Sequence, residues 1–550
     1  MDFDFSPSGR VTPERPDFPE DCLPLKARIL LDLVKLHLHL PPAQQLKEPK
    51  FIIVQASQLA KKSTFQHVKY LCDQKRIQNP EFLYTVVGSR RHFPFTRNQQ
   101  TTRFRLSLNR AVQFSYVPDI EYCHVAKRLR DIKLVLFDSW SQIGQNTLSQ
   151  VDYFLRSANK TLDKKHYFAN RTIILFGDVR LPGPINDSPL FIKVEDRETL
   201  EIENNPTELY RAFNTAFVLE DDEFDLFPTP AKQEYREFVK RLGRGNITFQ
   251  DRDTLLSRVP SNMTEKQMRP FQELNLCIFP YKNDCTEHNL MKLTSTPQVK
   301  EQPQIRINNA NELLVLKLGC PVVLTRNLSP DIGLCTNTFG TLIAVNFRFN
   351  GNKSREEYNV RDIEGLCIHF RNIHEGRQRL VSGIMCFEVF PMWEMINEDG
   401  NSTTFCRKFP VTTGYALTHH KIQHTELNRT FGIYLGEHEL TPGLDYSTFS
   451  KLKTFKELLI MDEKNVSLRR MKVNEKNENE RAKEYDRLKS LQDDYLQVNM
   501  CKFLQSRSQE QNHGREEQRA KVDEVKLVAN TRRVAPWKKY RLIKYFGFKE

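Results

Sequence analysis

Short apolar runs alternate with longer mixed segments over residues 51–186. The first run, FIIV at 51–54, is β-branched and uncharged, and similar runs occupy 132–137 and 172–176. Continuous apolar runs of this length are typical of strands buried on both faces. The segments between the runs are long enough to hold helices. The alternation therefore predicts strand and helix units of an α/β parallel sheet.

Three other segments carry apolar residues at helical spacing. The first spans 25–40 and stops before Pro41 and Pro42, as expected of a helix that prolines terminate. The second lies at 148–155 and the third at 485–498. The third helix is expected to dock on the globular core, with a short coiled coil to a partner as the alternative. The apolar positions are Ile29, Leu30, Leu33, Val34, Leu36, Leu38, Leu148, Val151, Phe154, Leu155, Tyr485, Leu488, Leu491, Tyr495 and Val498.

The two ends of the chain have a different composition. Residues 1–24 are acidic, Pro-rich and without periodicity, which predicts a disordered tail that could hold protein partners. Residues 531–550 carry seven Lys or Arg against one Glu, interleaved with aromatic residues. Basic residues contact phosphates and aromatic rings stack on bases, so Trp537, Lys538 and Lys539 are candidates for binding a single strand. Packing of the aromatic rings on the core is the alternative.

Composition narrows the class of protein. With 550 residues, 39% hydrophobic residues and 37 Phe, the chain should form several globular domains. A net charge of +13 favours an anionic partner such as nucleic acid. The alternative is a basic surface that binds no specific anionic partner. Eleven Cys without a C-x-x-C pair indicate neither a disulfide framework nor a zinc site, and favour an intracellular protein. No apolar run of 18 residues exists, so no membrane partner is expected.

Residues with phosphate-binding chemistry follow the strand at 51–54. The pattern G-x-x-x-x-G-K-[ST] places a phosphate loop between a strand and a helix N-terminus. On this pattern Lys62 and Ser63 take the lysine and hydroxyl positions, while Ala56 and Lys61 replace both glycines. Side chains there obstruct the backbone from wrapping phosphates. Taken alone, this short run is more typical of a charged surface.

The other two strands are also followed by carboxylates. Asp138 and Ser139 come after 132–137, and Asp178 comes after 172–176. Ser139, next to Asp138, cannot act as a general base at neutral pH.

The segment from Phe409 to Leu459 resembles the last two motifs of the petite-integration-frequency (Pif) DNA helicases and their Helitron relatives. The family's K-S-Q-G is here Lys421 to His424, and its S-R-V-R is Ser450 to Lys453. Segments 213–259, 278–289 and 318–335 resemble further family motifs in the same order. The matching positions of the first segment are Phe409, Pro410, Tyr415, Ala416, Thr418, His420, Lys421, Gln423, Leu427, Pro442, Gly443, Leu444, Tyr446, Ser450, Leu458 and Leu459.

The resemblance implies an α/β fold with two RecA-like P-loop motor domains of a superfamily-one helicase. It also implies a small inserted β-barrel domain, which the alternation near 341–348 and 366–370 fits, and a C-terminal helical extension. We expect a disordered tail at 1–24, a first RecA-like domain at 25–195, a second at 196–310 and 405–462, the insert at 311–404, and the extension at 463–550.

The resemblance also implies a site. ATP and magnesium are the cofactors of the family, and single-stranded DNA is its substrate. The residues carried over are Lys62, Ser63, Asp178 and Gln423 for ATP; Ser63 and Asp138 for magnesium; Asp138 and Lys451 for catalysis; and Phe279, Pro280, His288, Asn289, His420 and Lys421 for nucleic acid.

Several of these positions depart from the family pattern. The glycines of the phosphate loop are lost, the general base is Ser139, the γ-phosphate sensor is Leu181, and the catalytic arginine is Lys451. The first hypothesis is therefore a helicase-fold protein, ATPase-weak or inactive, that retains nucleic-acid binding. The second is a working, divergent 5′ to 3′ DNA helicase in repair, recombination or telomere maintenance. The third is a protein-interaction scaffold. A nuclear location is expected from charge and family.

Overall fold

The structure of the chain is a computed structural model that describes residues 15–88 and 130–499. Two compact units are present, Met1–Lys489 and Ser490–Glu550, and residues 490–499 of the second are helical. Within the described ranges no helix combines the length and apolarity needed to cross a bilayer. Gaps in the description lie at 162, 164, 185–186, 194–204, 272–275, 297–300, 310–311, 330–331, 349–356, 372, 374–375, 400–401, 424–426, 428–429 and 472–479.

Five parallel strands form the first sheet: β1 (Phe51–Ala56), β2 (Leu83–Gly88), β3 (Ile132–Asp138), β4 (Thr172–Gly177) and β5 (Thr215–Leu219). Their order across the sheet is β2-β3-β4-β1-β5. The three strands predicted from apolar runs are confirmed as β1, β3 and β4, and each is largely buried. Strand β5 lies beyond residue 195, so the first sheet draws on the segment assigned from sequence to the second domain.

Helices cover this sheet, and their apolar positions are the ones that pack. The predicted helix at 25–40 is confirmed and ends at His39, before the proline pair. The predicted helix around 148–155 is confirmed too, with Leu148, Val151 and Leu155 buried. The helices are α1 (Leu25–His39), α2 (Pro42–Lys47), α3 (Gln58–Gln78), α4 (Gln145–Ala158) and α5 (Pro206–Arg211).

The chain then begins a second α/β layer that an all-β insert interrupts. The elements before the insert are α6 (Pro230–Gly243), α7 (Phe249–Leu256), α8 (Glu265–Met268), β6 (Cys277–Phe279) and α9 (Lys282–Ser295). Helix α7 begins with a capping box, in which Thr248 and Asp251 exchange hydrogen bonds.

Strands β7 to β17 form the insert, and the alternation near 341–348 and 366–370 is confirmed as strands β10 and β12. They are β7 (Ile305–Asn309), β8 (Glu312–Leu316), β9 (Pro321–Leu324), β10 (Phe339–Phe347), β11 (Tyr358–Asn359), β12 (Ile363–His369), β13 (Arg379–Val381), β14 (Ile384–Val389), β15 (Met392–Asp399), β16 (Ser402–Lys408) and β17 (Val411–Thr413). Their sheets have the orders β13-β14-β12-β10-β9-β17, β11-β7-β8 and β15-β16. Ile307, Leu316, Leu342 and Ile368 belong to one core between the first two sheets.

After the insert the chain completes the second sheet. The elements are β18 (Ala416–Thr418), α10 (His419–Ile422), β19 (Phe431–Ile433), α11 (Leu444–Phe449), β20 (Leu458–Ile460) and α12 (Leu468–Met471), with a helix at 480–489, α13, closing the first unit. The parallel order β18-β6-β19-β20 joins β6 from before the insert to three strands from after it. The structure thus has two parallel α/β layers with a β insert in the second, which confirms the predicted fold class.

Candidate functional site

The carboxyl ends of the first sheet bring together the polar residues that follow its strands. Ligands of parallel α/β sheets bind at this edge. Asp138 ends β3, Asp178 follows β4, Ser57 follows β1, and Asp221 comes shortly after β5. We call the region around these four residues the cleft.

The connection from β1 to α3 is a single residue, Ser57. Helix α3 already begins at Gln58, and the Lys61 N–H donates to the Ser57 carbonyl at 2.8 Å. Residues 58–61 are therefore helical, whereas a phosphate loop needs non-helical backbone with its N–H groups turned toward the ligand.

A carboxylate of the chain itself lies at the N-terminus of α3. Asp221 Oδ1 accepts hydrogen bonds from the Ser57 hydroxyl at 2.7 Å and from the Ala60 N–H at 2.9 Å. A negative group is favourable there because the helix dipole and the unpaired N–H groups attract it. Burial raises the pKa of Asp221, while these two hydrogen bonds act in the opposite direction. Asp221 thus takes the place at which a helix N-terminus would receive a phosphate.

Lys61, and not Lys62, faces the cleft. Its Nζ lies 2.6 Å from Asp138 Oδ1 and donates to the Ser139 hydroxyl at 3.1 Å. Lys62 Nζ instead lies 3.7 Å from a carboxylate oxygen of Asp17 near the N-terminus. Ser63 is buried inside α3. The pattern-based alignment and the structure therefore differ by one residue at the lysine.

Asp178 is held by three side chains in the buried centre of the cleft. Gln55 Nε2 donates to Oδ1 at 2.7 Å, and Arg180 binds both carboxylate oxygens through Nε at 2.8 Å and Nη2 at 2.9 Å. The Tyr446 hydroxyl, from α11 of the second layer, donates to Oδ2 at 2.7 Å. Burial alone would raise the pKa of Asp178, but Arg180 and Tyr446 keep it below its ordinary value. This carboxylate has its hydrogen bonds satisfied within the protein.

Arg180 extends the contacts toward helix α13. Its guanidinium lies 3.2 Å from Glu220, which also accepts a hydrogen bond from the Tyr485 hydroxyl at 2.8 Å. The same guanidinium lies 5.0 Å from the ring centre of Tyr446. Glycine is needed at Gly443, where φ is 87° and a Cβ would collide with the Arg180 carbonyl. The two α/β layers are therefore in direct contact across the cleft.

Helix α13 contacts both layers as well. Glu484 accepts a hydrogen bond from the Tyr210 hydroxyl of the first layer at 2.8 Å. Arg481 Nη2 donates to the Pro442 carbonyl of the second layer at 2.8 Å. The predicted docking of this helix on the core is confirmed over 480–489.

Of the two residues predicted from the last motifs, Lys451 approaches the same region. Lys451 Nζ donates to Gln58 Oε1 at 3.1 Å, which brings a cation of the second layer to the start of α3. Gln423 follows α10, and its Nε2 is buried without a hydrogen-bond partner among the described residues. The structure does not bring Gln423 into the Asp178 network.

The residues predicted to contact nucleic acid lie in the second layer. Phe279 is buried and stacks on Tyr434 with ring centres 4.2 Å apart, and His288 lies 5.1 Å from Phe279. Burial lowers the pKa of His288 to about 4, so this ring is neutral at pH 7. Asn289 Oδ1 accepts from the N–H groups of Tyr415 and Ala416, at 2.9 and 2.8 Å, and thereby fixes β18.

The remaining candidates are dispersed. Pro280 is buried beside Gly436. His420 is exposed on α10, with its Nε2 3.4 Å from Thr441 Oγ1. The carbonyl of Lys421 accepts a hydrogen bond from Asn337 at 2.7 Å. The tail candidates lie outside the described residues; they are Trp537, Lys538 and Lys539.

Sequence patterns missed the residues that fill the cleft. Asp221 follows a strand, as Asp138 and Asp178 do, and that position is the signal that could have identified it. Tyr446 matches the family motif, but the sequence predicted no role for it or for Arg180, because their contact joins positions 266 residues apart.

Comparison with known proteins agrees with this architecture. Residues 304–346 match the family model of the 2B domain of DNA helicase Pif1. Pif1 helicase from Candida albicans is similar in structure, with 14% identity, 85% of this chain and 99% of that chain covered, and a TM-score of 0.59. A second structure, described for DNA unwinding at forked double-stranded DNA by two coordinating Pif1 helicases, has 14% identity, 84% and 98% coverage and a TM-score of 0.55. Comparison with curated proteins gave no match. The chain has the Pif1 helicase fold, as the sequence resemblance implied.

Proposed function

We propose that this chain is a DNA-binding protein on the Pif1 helicase fold that does not turn over ATP. One observation carries the proposal: the start of α3, where the fold would receive phosphates, is bonded to the carboxylate of Asp221. A triphosphate entering there would have to displace the two hydrogen bonds that Asp221 accepts. The one-residue link before α3 also leaves no loop to cradle phosphates.

The other polar groups of the cleft support the same reading. Asp138 is paired with Lys61, and Asp178 is paired with Arg180 and Tyr446. A magnesium ion would need Asp138 to exchange its lysine for the metal, and Ser139 supplies no general base. The residues present therefore fit neither ATP nor magnesium well.

DNA binding is the activity that we retain from the fold. The net charge of +13 supports a polyanionic partner, because each neutralised phosphate releases a counterion and strengthens binding. We propose single-stranded DNA as that partner and a nuclear role in repair or recombination.

A working, divergent helicase is the second candidate. It is favoured by the two cations that the fold brings to the cleft, Lys61 at Asp138 and Lys451 at the start of α3. Lysine keeps the charge of a catalytic arginine but lacks its planar fork, so turnover by such an enzyme would be slow. A scaffold that holds protein partners through its N-terminal tail and C-terminal helix is the third.

DNA-stimulated ATP hydrolysis by the purified chain separates these candidates. We expect no turnover above that of Lys61→Ala, and no binding of a fluorescent ATP analogue. Lys62→Ala is the matched control, because Lys62 neighbours Lys61 but faces Asp17. Hydrolysis that Lys61→Ala abolishes and Lys62→Ala preserves would favour the working helicase. Failure of the wild type to bind single-stranded DNA at low salt would favour the scaffold.

A further inference from the structure

The hairpin of β15 and β16 carries exposed aromatic residues in the insert. These two strands pair only with each other among the described strands. Trp393 is 71% exposed and Phe405 is 59% exposed, whereas large aromatic side chains are on average mostly buried. An exposed aromatic pair on a narrow two-stranded sheet indicates a contact surface.

The pairing register puts the two rings on one face. Trp393 lies directly opposite Arg407, and residues directly opposite in an antiparallel pair point to the same side, with Cβ atoms about 4.5–5.5 Å apart. Phe405 is two residues from Arg407 along β16 and therefore shares that side. One face of the hairpin thus presents Trp393, Arg407 and Phe405, with Arg407 opposite Trp393 and two residues from Phe405. We call these three residues the aromatic face.

The charge on this face distinguishes the kind of partner. Within the residues that the structure describes, Arg407 forms no ion pair. A guanidinium on this face would be costly to cover with an apolar protein surface, since burying a charge without a partner is strongly unfavourable. A nucleic-acid strand satisfies all three groups, because bases stack on aromatic rings and the phosphate between them pairs with arginine.

We propose that the aromatic face binds a single-stranded DNA segment by stacking bases on Trp393 and Phe405 while Arg407 contacts the backbone. The proposal rests on the DNA binding proposed above, and adds to it a site in the insert. It requires no nucleotide in the cleft, so the site would operate in a protein without ATP turnover.

Fluorescence anisotropy with a labelled 15-nucleotide oligo-dT tests the site. Base stacking contributes about 1–3 kcal/mol per base, so Trp393→Ala should weaken binding about 5- to 150-fold. Trp393→Phe should retain most of the affinity, since it keeps a ring. Arg407→Gln should reduce the slope of log affinity against log salt by about 1. Phe227→Ala, at a side chain 78% exposed elsewhere on the first unit, is the matched control and should bind as the wild type does.

An abasic strand of the same length separates stacking from phosphate contact. Trp393→Ala and wild type should bind it equally, because it offers no bases. Wild-type binding to oligo-dT that Trp393→Ala leaves unchanged would overturn the aromatic face and leave the DNA-binding proposal intact, and the face would then be assigned to protein contact. Absence of any wild-type binding to oligo-dT would refute the DNA-binding proposal itself.

Discussion

Replacing Tyr446 by phenylalanine would remove one hydroxyl from the cleft and leave its shape unchanged. The hydroxyl donates to Asp178 at 2.7 Å, and both side chains are buried. A hydrogen bond to a charged group contributes about 1.5–3 kcal/mol. Because Arg180 still donates to the same carboxylate oxygen at 2.9 Å, the loss should fall in the lower part of that range. We expect the free energy of unfolding to decrease by about 2 kcal/mol.

Tyr235→Phe is the matched control for this substitution. The Tyr235 hydroxyl is also buried and donates at 2.8 Å, but to the neutral carbonyl of Phe449 within the second layer. Its loss should cost about 1 kcal/mol. Urea unfolding at pH 7, followed by circular dichroism, measures both variants against the wild type. A cost for Tyr446→Phe no larger than that for Tyr235→Phe would refute the view that this hydroxyl bonds a charged Asp178 and closes the cleft.

Two further substitutions test carboxyl groups whose pKa is raised by burial. Asp221→Ala removes the acceptor of two hydrogen bonds at the start of α3 and should cost about 1–2 kcal/mol in urea unfolding; equal costs for it and for the exposed control Asp222→Ala would contradict this. Burial and the neighbouring Asp445 raise the pKa of Glu439 to about 7. Because the pKa of Glu439 is higher in the folded chain than in the unfolded chain, this group favours folding at low pH. Its contribution, up to about 3 kcal/mol, is complete below about pH 4.3 and is lost as the pH rises to about 7. Thermal unfolding of Glu439→Gln across pH 4–8 should lack that decline, and a decline as steep as in the wild type would exclude Glu439 as its source.

Strands β1, β3 and β4 of the first sheet were predictable because each is a short, continuous apolar run. Runs such as 51–54 and 172–176 are apolar on both faces, and a strand in the middle of a parallel sheet is the environment that tolerates this. Strand β5, TAFVL at 215–219, lies in the segment 213–259, which resembles a family motif and which we assigned to the second domain. The local pattern predicted individual strands. It could not predict that β5 belongs to the first sheet, because that depends on its pairing with β1, which is distant in the sequence.

The lysine that faces the cleft is Lys61, one position before the predicted Lys62, and the reason is geometric. The phosphate-loop pattern assumes several non-helical residues after the strand, and on that assumption Lys62 reaches the ligand. Here α3 begins two residues after β1 ends. A helix turns by about 100° per residue, so neighbouring side chains point in different directions, and Lys61 rather than Lys62 reaches Asp138.

We expect that no single substitution would turn the cleft into a phosphate site. Glycine at Ala56 and Lys61 would permit the required backbone angles, but α3 would still begin at Gln58, and the Ser57 hydroxyl and the Ala60 N–H would still bond Asp221. Removing Asp221 would free those donors, yet Tyr446 and Arg180 would continue to occupy Asp178 from the side of the second layer. Each polar group is satisfied by another element of the fold, so ATP would have to displace several favourable contacts at once. That interdependence is the physical reason to expect DNA binding without ATP turnover, since it would hold the two layers together with no nucleotide between them.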